Sequence, residues 1–451
     1  MAEFQYRING GAWQTVVAEL PYTIAAGKLD AVEVRAIGDE MSASSYVPPV
    51  AIPQPENGLE ISSGLFTVTE ANLVSQDHIS GSNSIATSGS RSMGEGGSSG
   101  VNFNIAGVTD DNVWISCITR KNDEFAGTSF RARLLSPLDD PGQTANRNRS
   151  GNQVFKFDGA AGLSRFGLVA SSTYGDLDYA QVVEMDDVLA MPCDVYIAAG
   201  QSNMAATTNG LGVDFSLDAW SDPRLLYASG AANQSYGVSI GSIEALRAPL
   251  QAAGETEGNV VSTSFSSGVS PAVSFGKTIL HSTEEGRAVC IIMAAVSGTT
   301  LIGAGQQWAQ GGIAYSHAEA VIAAAMANLP SGSEIKGVMW AQGESDARSD
   351  LTAYPAAWAA MRASLEAEWQ SNGWSVGQVP WVIGTTPPDS TLENAAALTE
   401  MQHTMAPGGT NGQPRVAVVD RIPGIEADGY HATAASNRDL GYKMASAIWG
   451  L

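Results

Sequence analysis

A serine in the turn that ends an apolar run of strand length is placed to become a nucleophile, and Ser202, which follows Gly200 and Gln201 directly after VYIAA, stands there. A tight strand-to-helix turn at that position lifts a hydroxyl clear of a sheet. The hydroxyl is inert without a general base within hydrogen-bond reach, and imidazole is the usual group. Of the five histidines, His78 lies in a β-patterned region. His281, His317 and His403 fall within or at the ends of helical segments, away from strand ends, where a surface or capping role is the plainer reading. His431 differs: it occupies a loop between the run RVAVVD and the last helix-patterned segment, with Asp428 just before it in DGYH. Such a loop lets the carboxylate turn back onto one ring nitrogen while the other faces the serine.

Two further ends of apolar runs carry groups suited to a developing oxyanion. AAVSGTT supplies Gly298, whose backbone N–H can approach a tetrahedral intermediate without side-chain obstruction, and MWAQGESD supplies Gln342, whose amide can donate. Each piece stands at the end of a strand-like run, so their joint placement is more specific than any one of them.

The elements that must position these residues are legible after Pro192. DVYIAA, AVCIIMAAV, IKGVMWA, VPWVIGT and RVAVVD alternate with helix-period segments such as AEAVIAAAMANL, YPAAWAAMRASLEAEW and the final NRDLGYKMASAIW. That alternation predicts a doubly wound α/β layer over residues 191–451, its parallel sheet covered by helices and its reactive site at the carboxyl ends of the strands. The earlier chain reads as all-β. Residues 1–50 form a small β unit that resembles part of a fibronectin type III module and runs into the Pro-rich VPPVAIPQP. Residues 51–190 read as a β-sandwich, resembling a jelly-roll carbohydrate-binding module, with polar stretches such as SGSNSIATSGSRSMGEGGSSG as loops. All the chemical pieces fall after Pro192, which makes the β region dispensable for chemistry on this reading.

GQSNM, SPAVSFGKTIL, VSGTTL followed by Trp308, WAQGESD and DGYH together resemble the SGNH (GDSL-like) hydrolases, in the branch of sialate O-acetylesterases and carbohydrate esterase family six. The resemblance spans roughly residues 192–451 and none of the β region. It implies a flavodoxin-like sheet and removal of acetyl groups from sugar hydroxyls by a serine mechanism without a cofactor. It further implies Ser202 as nucleophile, His431 as base, Asp428 as its orienting partner, and the N–H groups of Ser202 and Gly298 with the Gln342 amide as oxyanion donors. The chain has Ser297-Gly298-Thr299 where the family usually reads GGT or GGS, and Ala341 where a His or Tyr is common. Glu344 is the alternative carboxylate for His431; the short span from Asp428 favours the aspartate.

Composition narrows the partners. The 451 residues carry 46 Asp and Glu against 23 Lys and Arg, a formal charge of −23 that repels phosphate backbones and anionic membranes. No apolar run approaches the ~20 residues of a membrane helix. Cys117, Cys193 and Cys290 are too far apart for a CxxC metal site, and MAEFQYRINGG has no basic-then-apolar secretory pattern. The expected function is a serine esterase acting on an O-acetylated glycan, sialic acid or polysaccharide, with no metal. The alternatives are a non-catalytic glycan-binding or phage tail-associated protein on an esterase-like fold, and an esterase for non-sugar acyl groups. Virion association, or an extracellular place reached by a non-classical route, fits the leading β modules.

Overall fold

A computed structural model describes residues 2–8, 14–18, 32–36, 61–62, 67–68, 91–93, 98–104, 108–121, 129–136, 143–145, 151–163, 165–171, 175–206, 215–232, 238–248, 250, 253–256, 259–261, 268–303 and 305–451. The Pro-rich segment 47–55, His78 and most of the polar stretch 80–100 lie outside the described residues. The chain divides into two compact units, Met1–Gln54 and Pro55–Leu451. In the first, Ala2–Ile8 pairs antiparallel with both Gln14–Ala18 and Val32–Ala36, so the three alternating runs at the start of the sequence make one small sheet.

The second unit opens with two further sheets. Ser98–Asn104, Ser129–Ser136, Gln143–Ala145 and Arg165–Ser171 form a four-stranded one. Ile61–Ser62, Thr67–Val68, Arg91–Met93, Val113–Lys121, Gly151–Phe157 and Gly175–Glu184 form a six-stranded one.

The α/β layer follows. Its strands are β1 (Cys193–Gly200), β2 (Leu225–Ala228), β3 (Ile243–Ala245), β4 (Ala288–Met293), β5 (Glu334–Ala341), β6 (Trp381–Gly384) and β7 (Val416–Val419), in the spatial order β3-β2-β4-β1-β5-β6-β7. Only the edge strand β3 is antiparallel to its neighbour. The apolar runs of the sequence account for five of these strands. β2 and β3 add four and three residues, too short for any periodicity to announce them. β1 lies between β4 and β5, where the chain switches from one side of the sheet to the other, and a crevice opens at such a point beyond the carboxyl ends.

Helices cover both faces, because side chains alternate along a strand. On one face Tyr196 packs edge-on to Phe275 of helix Pro271–Leu280 at 5.1 Å, and a Cβ at Gly337 would meet Ile448 of helix Ala434–Ile448 at 2.2 Å. On the other, Trp340 and Trp381 meet a set of buried indoles: Trp308 lies 5.0 Å from Trp340, while Trp358 and Trp369 of helix Tyr354–Ser371 lie 5.3 and 6.2 Å from Trp381. Each such aromatic pair adds about 0.5–1.5 kcal/mol beyond the area it buries. This face therefore gives β5, and the loop after it, a rigid backing.

The α/β core does not stop at Pro192. Trp114, Val183, Met185 and Val188, which precede it, belong to the same continuous apolar cluster as β1 and β2. Trp114 lies 5.5 Å from Trp220, and the Lys156 ammonium reaches the Glu244 carboxylate at 2.6 Å and the Ile243 carbonyl at 3.1 Å.

Candidate active site

Gly200 ends β1 with a φ of +129°, and a Cβ at this position would lie 2.0 Å from the Ala341 carbonyl oxygen of β5, so only glycine fits. The next N–H, of Gln201, donates to that same carbonyl at 2.9 Å. The chain then turns sharply. Ser202 opens a single helical turn, Ser202–Ala205, closed by Ala206 at φ +56°, and is 5% exposed. Ser270 of the SPAVSFGKTIL segment pins the far end: its hydroxyl accepts from the Ala272 N–H as the cap of helix Pro271–Leu280 and donates to the Met204 carbonyl at 2.7 Å.

His431 lies in the loop between β7 and helix Ala434–Ile448, just before Thr433, whose hydroxyl caps that helix by accepting from the Ser436 N–H. Its Nδ1 is 2.6 Å from Asp428 Oδ2, and Asp428 Oδ1 accepts the backbone N–H groups of His431 at 3.0 Å and Tyr430 at 3.2 Å. Partial burial pushes the Asp428 carboxyl up, but the N–H and ring of His431 and the N–H of Tyr430 outweigh it and hold the group below the usual aspartate range. The carboxylate therefore stays charged beside the ring over the neutral range.

The loop of His431 is fastened to the serine turn by Asn203. Asn203 Nδ2 donates to the Tyr430 carbonyl at 3.1 Å, and Asn203 Oδ1 accepts the Ala432 N–H at 2.8 Å. Glu344 is placed differently from Asp428: its Oε1 accepts from Asn203 Nδ2, and the His431 ring bonds Asp428. Glu344 is buried, and close enough to the buried Arg421 for their charges to attract.

Gly298 follows the short strand Val296–Ser297, which pairs in parallel with Ala253–Thr256, and it is exposed at φ +83°. The Thr299 hydroxyl donates to the Val296 carbonyl at 2.7 Å and accepts from Trp308 Nε1 at 2.9 Å. Gln342 backs this loop. Its Nε2 faces three acceptors, Asp346 Oδ2 at 2.5 Å, the Thr299 carbonyl at 3.2 Å and Gln201 Oε1 at 3.3 Å, while its Oε1 accepts from the Tyr354 hydroxyl at 2.9 Å. An amide nitrogen has two hydrogens. A contribution from Gln342 to an oxyanion requires one of these contacts to be exchanged for substrate.

Asp346 and Asn203 are functional residues that pattern and spacing do not single out, although they stand in WAQGESD and GQSNM. The buried Asp346 carboxylate accepts the backbone N–H groups of Leu301 at 2.8 Å, Ile302 at 2.9 Å and Gly303 at 2.7 Å. The signal was available in principle: a carboxylate and an amide in strand-end loops have to find partners once those loops are buried.

Two of the histidines set aside lie closer to strand ends than their helical context suggested. His317 bonds the Gly230 carbonyl beyond β2 at 2.9 Å, and His403 bonds Asp420 directly after β7 at 2.9 Å. A helix that packs along a strand brings some of its residues to the strand's end, which periodicity alone does not reveal. Among the described residues no group of three or more His, Cys, Asp or Glu side chains is arranged to hold a metal ion, and no helix is long and apolar enough to cross a membrane. A hydroxyl at a strand-end turn, an imidazole–carboxylate pair and an exposed glycine are groups of the kinds that serve acyl transfer.

The model of the family described as carbohydrate esterase, sialic acid-specific acetylesterase matches residues 192–450. No curated protein matches the chain. Among solved structures, a protein from Arabidopsis thaliana is 19% identical with a TM-score of 0.41, over 57% of this chain and 98% of that one. NanS is 16% identical with a TM-score of 0.45, over 58% and 98%. A carbohydrate acetylesterase from Xanthomonas citri is 16% identical with a TM-score of 0.33, over 79% and 73%.

Proposed function

We propose that this chain, which belongs to the carbohydrate esterase, sialic acid-specific acetylesterase family, removes O-acetyl groups from a glycan through an acyl-enzyme formed on Ser202. The observation that carries the reading is the 2.6 Å contact of His431 Nδ1 with Asp428 Oδ2, on a loop tied by Asn203 to the turn that begins with Ser202. With Nδ1 protonated and directed at the carboxylate, Nε2 is left as the base.

In the first half-reaction Ser202 Oγ attacks the acetyl carbonyl as Nε2 takes the hydroxyl proton, and Asp428 stabilises the imidazolium. The negative charge that develops on the carbonyl oxygen falls to the backbone N–H groups of Ser202 and Gly298. The imidazolium then returns the proton to the departing sugar oxygen, leaving acetyl-Ser202. Water, deprotonated by the same imidazole, releases acetate and restores the serine. Gln342 and Asp346 hold the Gly298 loop in place for this.

The test is acetate release from a panel of O-acetylated glycans, comprising sialic acids, xylans and bacterial capsules, by the full chain and by Ser202→Ala. The wild type releases acetate from at least one member, Ser202→Ala from none, and a fluorophosphonate labels Ser202 alone. Hydrolysis that survives Ser202→Ala, or labelling elsewhere, would overturn the mechanism.

A further inference from the structure

We propose that Asn203 is a positioning residue for the reaction at Ser202, its amide oriented by Glu344 so as to hold the His431 backbone in register with the serine turn. The inference rests on the esterase reading above and adds to it a device that neither the base nor the nucleophile contains.

The orientation of the Asn203 amide is dictated by its partners. Nδ2 meets the Glu344 carboxylate and the Tyr430 carbonyl, neither of which can donate; Oδ1 meets the Ala432 N–H, which cannot accept. A flipped amide would set donor against donor and acceptor against acceptor. The two backbone groups it grips belong to the residues on either side of His431, so the histidine is held from both flanks while Asp428 aims its ring. Because Asn203 directly follows Ser202, nucleophile and base are referred to one short piece of backbone. A displacement of ~1 Å between reacting groups costs on the order of 10²-fold in rate.

Glu344 is the other half of the device. It is 4% exposed, and among the described residues its Oε2 has no hydrogen-bond partner, so burying its carboxylate calls for an opposite charge nearby. Arg421 supplies that charge. Its guanidinium is fixed by the Thr385 carbonyl at 2.9 Å and Asn437 Oδ1 at 2.5 Å, and its Nη2 finds no hydrogen-bond partner among the described residues. Burial pushes the guanidinium down to about 10 while the Glu344 and Asp439 carboxylates pull it up, which leaves it charged at neutral pH. Glu344 thus serves His431 at one remove, through the amide.

The test uses the full chain with p-nitrophenyl acetate, measuring kcat and KM from pH 5 to 9 together with the rate at which a fluorophosphonate labels Ser202. Asn203→Ala is expected to lose ~10²-fold in kcat and in labelling rate, with KM changed less than ~3-fold. Asn203→Asp sets two carboxylates against each other and loses at least as much; adding Glu344→Gln, whose amide can donate to the new carboxylate, is expected to recover ~10-fold. A merely structural role would lower the folded fraction without changing kcat per labelled site or producing that recovery. The inference is overturned if Asn203→Ala keeps more than a third of the wild-type kcat, or if the double variant is no faster than Asn203→Asp. Should the wild type hydrolyse and Ser202→Ala not, either result removes the positioning role alone; a wild type inactive on every acetyl ester removes the esterase reading and this inference with it.

Discussion

The side-chain amide of Asn203 straddles His431, donating to the carbonyl on one side of it at 3.1 Å and accepting from the N–H on the other at 2.8 Å. The histidine ring points elsewhere, to Asp428 at 2.6 Å. Position and aim of the imidazole are therefore set by different residues, and they can be perturbed separately.

Removing the charge that faces the ring should be the more damaging of two carboxylate changes. Asp428→Asn is expected to cost about 10²–10⁴ in kcat, because the imidazolium formed during attack loses its counter-charge. Glu344→Gln keeps an oxygen that can accept from Asn203 and should cost less. Steady-state kinetics on a small acetyl ester decide it; a larger loss in the glutamate variant would give the orienting role to Glu344.

Asp346→Asn should move the Gly298 loop. The carboxylate takes N–H groups from Leu301, Ile302 and Gly303 as well as Gln342 Nε2, and an amide at that place must present donors to donors. A buried mismatch of this kind costs about 1–3 kcal/mol. Denaturant titration is expected to show that loss, accompanied by a fall in kcat; unchanged kcat would detach the loop from catalysis.

Lys277 gives a pH signature remote from the chemistry. Its ammonium donates to the Leu217 and Ala219 carbonyls, both at 2.6 Å, and burial pushes it down to about 8 against the pull of Asp218. The unfolded lysine titrates near ~10.4, so between pH 8 and ~10.4 the unfolded chain binds the extra proton and this group's contribution to stability rises with pH. Unfolding free energies at pH 7.5, 9 and 10 should climb more steeply in the wild type than in Lys277→Met. Parallel curves would refute the shift.

Cutting the chain at residue 190 should destabilise what remains. The fragment 191–451 loses Trp114, Val183, Met185 and Val188 from a core that includes Trp220. Large core truncations cost about 3–5 kcal/mol, which for a layer of this size lowers the melting temperature by roughly 10 °C. Residues 55–451, which keep that shared core, should instead melt above the shorter fragment and retain activity on a small ester, as differential scanning calorimetry and kinetics would show. Equal melting of the two fragments would mean the shared core carries no energy.

The parts of this site that were readable in advance are those whose meaning is local. GQSNM after an apolar run announces a turn because glycine and serine fall within three residues of the strand's end, and DGYH places its carboxylate next to its ring by spacing alone. Glu344 and Asn203 are 141 residues apart and Asp346 works on an N–H cluster 43 to 45 residues upstream, so nothing near either acid indicates its partner. The same limit applied to the fold. The α/β grammar begins at Pro192 and invites a boundary, yet contacts such as Trp114 with Trp220 are invisible to periodicity, which reports which face of an element is apolar but not what covers it.

That continuous core also bears on how such a chain can be recombined. A splice at the visible change of pattern would carry the α/β layer into a new protein with part of its own wall missing, whereas one between Gln54 and Pro55 transfers a body that brings its interior with it. The exchangeable cassette therefore includes the six-stranded sheet along with the α/β layer.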